Sequence, residues 1–217
     1  MIYRTILFDM NGVIVDDEPL HMVAFNEVVK QYGFSISDEV YNAYFAGRTD
    51  EDGFRLYFDS LNAPMPAAMA ELLNQKAAAY QKLAKGKLQP FPGVIEFIKS
   101  LAADKNLTLA LVTSSLHVEA ETVLNAFEIS SCFKALVTAD DITKGKPNPE
   151  GYLKGAAAVN AKPEECLVIE DAPSGIMAAH NAGMKCVAVL NTYSRDELKE
   201  ADLIVEKLVP GCLDTIA

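Results

Sequence analysis

No run of apolar residues in this chain approaches the ~20 needed to cross a bilayer. The first residues also lack the charged-then-apolar order of a secretory leader, so no membrane role is expected and a cytoplasmic location is. Cationic side chains are scarce, with 19 Lys and Arg against 30 Asp and Glu and a formal charge of −11. Affinity for nucleic-acid backbones comes from clustered Lys and Arg, so a nucleic-acid partner is not expected. An anionic substrate would need a local reversal of sign. The four cysteines, Cys132, Cys166, Cys186 and Cys212, lie far apart without a Cys-x-x-Cys pair. That spacing writes neither a zinc knuckle nor a redox motif and suits reduced thiols used for packing. There is no internal repeat, no low-complexity tract and no heptad seam, and a monomer is expected.

Half of the 217 residues are hydrophobic, enough for one substantial core and a smaller satellite. Short apolar runs bounded by turn residues recur: "TILFD", "LTLALVTSS", "KALVTADD", "CLVIEDA" and "KCVAVLN". Helical stretches separate most of them. Runs buried on both faces and joined by helical crossovers predict an α/β protein with a mainly parallel sheet and helices on both faces. Ligands of such sheets bind at the carboxyl ends of the strands. Four of the runs end in Asp9, in Thr113, Ser114 and Ser115, in Asp140 and Asp141, and in Glu170 and Asp171, which places polar groups from distant parts of the chain at one crevice.

From Asp17 to about Lys87 the strand signals vanish. Pro19 suits the first turn of a helix that runs to about Tyr32 and ends at Gly33, and residues 67–84 are rich in strong helix formers. "KGKLQPFPG" reads as a return linker and "VIEFIKSLAADKN" as the helix that resumes the α/β layer. The expected organisation is a catalytic core of residues 1–16 and 88–217, interrupted by an all-helical domain of residues 17–87.

An aspartate ending a buried strand can serve simply to cap a turn. Asp9, Glu170 and Asp171 brought together, however, would repel one another and raise each other's pKa unless a cation intervened. Carboxylates with no nearby Cys or His suit magnesium, which often bridges to substrate phosphate. In "GKPNPEGY", too rich in Pro and Gly for helix, Lys146 sits on a loop ahead of a helix starting near Glu150. Beside the hydroxyls of residues 113–115 it completes a set suited to a phosphoryl group.

Read in order, "DMNGV", "VTSS", "KGKPNPEGY" and "VIEDAPSGIMAAHNAGM" resemble the four motifs of the haloacid dehalogenase superfamily. The "DDEPLH" stretch and the helical insertion are similar to its β-phosphoglucomutase-like phosphatase branch. The resemblance covers nearly the whole chain and implies a three-layer Rossmann-like core with an all-helical cap domain. It also implies roles by position. Asp9 matches the nucleophile that becomes an aspartyl phosphate. Thr113 and the Ser114 amide match the motif that holds phosphoryl oxygens, with Ser115 beside them. Lys146 matches the lysine that neutralises nucleophile and phosphate. Magnesium would be held by Asp9, Asp171 and the main-chain carbonyl of Asn11, with Glu170 in support. His21 and the "GRT" of Gly47, Arg48 and Thr49 match cap positions that face the substrate, with Lys76 and Tyr80 near another. Asp16, Asp17 and Glu18 read as a hinge and helix-capping cluster. Pro173, Gly175 and Gly183 serve backbone geometry.

The departure is Asn11. Most phosphatases and mutases of the family carry a second aspartate there, the general acid and base, and an amide cannot exchange a proton near neutral pH. General acid and base catalysis is worth ~100- to 10,000-fold, so a slow enzyme is expected, best on leaving groups that need no proton. Three readings stand at this point. The first is a magnesium-dependent phosphatase of a small phosphorylated metabolite. The second is a sugar-phosphate mutase with Arg48 on a distal phosphate. The third is a binding protein that recognises a phosphorylated ligand without turnover.

Overall fold

The computed structural model describes residues 3–213, so the outermost ends of the core expected at residues 1–16 and 88–217 lie outside the described residues. Six strands form one parallel sheet: β1 (Thr5–Phe8), β2 (Thr108–Val112), β3 (Ala135–Val137), β4 (Cys166–Glu170), β5 (Lys185–Val189) and β6 (Leu203–Val205). Their order is β3-β2-β1-β4-β5-β6, with Leu7 level with Ala110 on one side and Val168 on the other. The direction of winding reverses between β1 and β4, which opens a crevice at their carboxyl ends.

Period-two alternation divides the sheet's side chains between two cores. Ile6, Phe8, Leu109, Leu111, Leu167 and Ile169 face one way and pack on α5 (Val94–Ala102) and α6 (His117–Ala126). Leu7, Ala110, Val112, Val168, Cys186 and Ala188 face the other way, toward α7 (Glu150–Ala158) and α8 (Pro173–Asn181). Both faces are covered, so every position of β1 and β4 is buried and the runs read as continuous apolar sequence. The sixth strand escaped the sequence reading. It has three half-buried residues at the sheet edge.

Between β1 and α5 the chain forms four helices and no strand: α1 (Glu18–Lys30), α2 (Asp38–Tyr44), α3 (Asp50–Ser60) and α4 (Met69–Ala84). Helix α1 opens with Pro19 in its first turn, and Gly33 follows its end at φ 83°. These helices bury an aromatic core of their own, in which Phe25 and Phe45 lie 4.4 Å apart and Phe54 meets Phe25 edge-on. The two connections to the sheet run side by side: Asp16 N donates to Gln89 O at 3.1 Å and Phe91 N to Ile14 O at 3.1 Å. Among the described residues no helix is long and apolar enough to cross a membrane, and Cys132, Cys166 and Cys186 are free thiols.

Candidate active site

Asp9 follows β1 directly and its amide donates to Ile169 O of β4 at 3.0 Å, which fixes the aspartate at the switch point of the sheet. Lys146 arrives from the loop before α7. Its Nζ lies 2.6 Å from Asp9 Oδ1 and 2.6 Å from Glu170 Oε1. Asp9, Glu170 and Asp171 each offer a carboxylate oxygen within 4.8 Å of the others. The three carboxylates expected to converge do so, over the sequence distance from residue 9 to residue 171.

Electrostatics follow from this crowding. Burial pushes the Asp9 carboxyl up to about 7; Lys146 pulls the other way and Glu170 adds to the rise. Asp171 is raised well above the usual carboxylate range by burial, then by Glu170 and Asp9. Burial disfavours the Lys146 ammonium, but Asp9 and Glu170 outweigh it and hold its pKa above the ordinary lysine value. One lysine thus serves two carboxylates and leaves the third without a cation of its own.

This donor set fits a hard divalent cation. Asp9 and Asp171 are the oxygens available to it. Glu170 is already saturated: Oε1 accepts from Lys146 and from the Tyr152 hydroxyl at 2.6 Å, and Oε2 from the amides of Asp171 and Ala172 at 3.0 and 3.2 Å. The expected support role of Glu170 therefore takes the form of holding Lys146 and the turn after β4. Two glycines make room for the carboxylates. A Cβ on Gly12, at φ +76°, would stand 2.0 Å from Asp171 Oδ2, and one on Gly175 would stand 1.8 Å from Glu170 Oε1.

Asn11 is fixed by four neighbours. Its Oδ1 accepts from Ser115 Oγ at 2.8 Å and from Thr113 Oγ1 at 3.3 Å. Its Nδ2 donates to Asp17 Oδ1 at 2.9 Å and lies 3.1 Å from His21 Nε2. Asp17 was expected to cap α1, but its side chain makes no cap bond. It turns inward instead, where it also accepts from the Tyr80 hydroxyl. Burial would raise its pKa, and contacts from His21, Tyr80 and Asn11 bring it below the usual value.

A cavity of about 800 Å³ opens over this centre. Asp9, Asn11, Ser114, Ser115, Lys146 and Asp171 line it from the core, and His21 and Arg48 face it from the helical insertion. Two of the residues expected to face a substrate do not line it. Thr113 points its hydroxyl at Asn11 and accepts from Ser115 N at 3.1 Å. Thr49 is the N-cap of α3, accepting from Asp52 N at 3.2 Å, and borders a separate cleft beside Asp140. Asp140 and Asp141 also stay away from the centre. Because β3 is the edge strand, its carboxyl end lies off the switch point, and these aspartates accept from His117 N and from Thr138 instead.

Tyr152, Asp17 and Glu119 carry contacts the sequence reading did not assign. Tyr152 was legible in principle, since it lies within the same "GKPNPEGY" stretch as Lys146. Glu119, inside α6, gave no signal.

An α/β sheet with carboxylates and a lysine at its switch point, under a helical insertion, defines a class of phosphoryl-handling hydrolase folds. The sequence model of the family described as haloacid dehalogenase-like hydrolase matches residues 6–189, and the chain belongs to that family. Validoxylamine A 7'-phosphate phosphatase of Streptomyces hygroscopicus subsp. limoneus is 30% identical over 95% of this chain and 94% of its own. The β-phosphoglucomutase of Bacillus subtilis is 31% identical over 94% and 89%. CbbY from Rhodobacter sphaeroides, solved in complex with phosphate, shares the fold with a TM-score of 0.87 at 24% identity, covering 96% of each chain. The chain is thus an enzyme of the haloacid dehalogenase-like hydrolases, related to phosphatases that act on phosphorylated metabolites.

Proposed function

We propose that this protein is a magnesium-dependent phosphatase of a small phosphorylated metabolite, working through an aspartyl phosphate on Asp9. The observation that carries this reading is the Lys146 ammonium, 2.6 Å from both Asp9 and Glu170, beneath a cavity large enough for a sugar-sized phosphate. Lys146 is one of the two cations that would reverse the sign of the site; the other is a magnesium ion that Asp9, Asp171 and the main chain at residue 11 would hold. Magnesium, when bound, supplies charge neutralisation for the phosphoryl oxygens.

Asp9 attacks phosphorus in line, and the bond to the substrate oxygen breaks as the Asp9 oxygen–phosphorus bond forms. Lys146 holds Asp9 in position and offsets the charge gathered on phosphorus. Ser114 and Ser115 border the phosphoryl group, while Thr113 acts through Asn11 and Ser115. Water then attacks the same phosphorus and returns Asp9 as carboxylate with release of inorganic phosphate. Asn11 orients the leaving group without donating a proton, so leaving groups stable as anions, such as acyl phosphates, are turned over best. The helical insertion acts as the cap that covers the crevice, and His21 and Arg48 meet the substrate from it. The active species is a single cytoplasmic chain.

The test is magnesium-dependent release of phosphate from acetyl phosphate and from a panel of carbohydrate phosphates, for this chain and for Asp9→Ala. Release that needs both the metal and Asp9 is expected, with acid-stable incorporation of label from the substrate into the protein. Binding without release would leave a phospho-ligand-binding protein, and isomerised product without free phosphate a mutase.

A further inference from the structure

Lys76 is fully buried, yet it plays no part in the chemistry set out above. Its Nζ lies 2.7 Å from His21 Nδ1, 2.8 Å from Asp50 Oδ2 and 2.9 Å from Glu119 Oε1. An ammonium only donates, so Nδ1 accepts here and the ring proton stays on Nε2, toward Asp17 at 3.3 Å. His21, Asp50 and Lys76 all belong to the helical insertion. Glu119 alone belongs to the core. It is also completely buried, and its second oxygen accepts from Leu116 N at 3.3 Å at the start of α6, directly after Ser115.

Two routes therefore lead from Lys76 to Asn11. One passes through His21 and Asp17, whose carboxylate faces His21 Nε2 at 3.3 Å and accepts from Asn11 Nδ2 at 2.9 Å. The other passes through Glu119 and the Leu116 amide to Ser115, whose hydroxyl donates to Asn11 Oδ1 at 2.8 Å. The chemistry of the pair also bears on reversibility. Replacing a buried ion pair with well-packed apolar groups is often neutral or stabilising, so a permanent seam would gain little from it. An ion pair across a seam can be rehydrated when the two sides part, and polar seams are typical of units that move against each other.

We propose that Glu119 is a positioning residue: through Lys76 it sets the helical insertion against the loop of residues 113–115, making that apposition a condition for turnover of substrates that reach the insertion. The kinetic side of this inference rests on the phosphatase reading, while its structural side does not.

Glu119→Gln keeps an oxygen for the Leu116 amide and removes only the charge. Lys76→Gln removes it from the other side. Circular dichroism first establishes that each variant is folded. By small-angle scattering with magnesium and phosphate, both variants are expected to have a larger radius of gyration than the parent. KM for glucose 6-phosphate should rise at least tenfold, whereas kcat/KM for acetyl phosphate, too small to need the insertion, should stay within about threefold. The double variant should be no worse than the worse single one, because one interaction is lost in all three. Unchanged scattering and KM in Glu119→Gln, effects that add in the double variant, or equal losses on both substrates would each overturn the proposal. A parent chain that releases no phosphate from any substrate would refute the phosphatase reading instead, and the scattering comparison would still decide the role of Glu119.

Discussion

The Asn11 amide donates to Asp17 Oδ1 at 2.9 Å, and Asp17 is completely buried. Placing a carboxyl at residue 11 would turn that donor into a second acceptor facing a buried carboxylate. Two such groups cannot both ionise in place, so the pair would hold a proton between them. On the proposed reading, that proton would lie close to the leaving oxygen. Asn11→Asp is expected to raise turnover of phosphate esters of alcohols by about 100-fold or more, and of acyl phosphates much less. Steady-state kinetics over a series of leaving groups measures this. An equal rise for every substrate, or none, would count against the role given to residue 11.

The crowded carboxylates make stability depend on pH, and on the proposed reading on metal as well. Asp9 keeps its proton in the folded chain up to about 7, whereas an ordinary aspartate loses it near 3.8. Between those values the folded state binds more protons than the unfolded one, so rising pH weakens the metal-free protein. On the proposed reading, magnesium would bind only the folded chain and oppose that loss. Thermal melts should show a magnesium-induced increase of about 5 °C or more at pH 7.5 with saturating metal. The increase should be smaller at pH 5.5, where protons compete for the same oxygens. Asp171→Ala should lose most of it, and an increase that survives in that variant would move the metal elsewhere.

Thr49 supplies a third prediction, since its side chain caps α3 and does not line the cavity. Thr49→Ala should lower stability by about 1 kcal/mol through the lost cap and leave KM for phosphorylated substrates unchanged. Arg48, its neighbour, does line the cavity, and Arg48→Ala should raise KM with little change in melting temperature. Chemical denaturation and initial-rate kinetics on the two variants separate these effects; a KM change in Thr49→Ala would return that residue to the substrate face.

The legible parts of the sequence were those where one local rule sufficed. The apolar runs of β1, β2, β4 and β5 announced their strands because burial on both faces leaves little polar alternation to blur them, whereas β3, three residues at the sheet edge, was marked by the polar residues that follow it. Leu203–Val205 did not announce itself, being three half-buried residues whose pairing with β5 exists only in the assembled sheet. Asp140 and Asp141 ended a strand just as Glu170 and Asp171 did, yet only the strand order shows that one strand lies at the edge and the other at the switch point.

By itself, the sequence determined the α/β alternation, the helical stretch between the first two strands, and which residue types would gather at the carboxyl end of the sheet. These depend on period, propensity and strand ends, which are properties of neighbours along the chain. The tertiary structure decided that Glu170 spends its oxygens on Lys146, Tyr152 and two amides, that Asp17 turns toward Asn11, and that Lys76 of the insertion meets Glu119 of the core. Each of these joins groups on separate elements, and the need to pair a buried charge selects the partner only after packing has brought the candidates within reach.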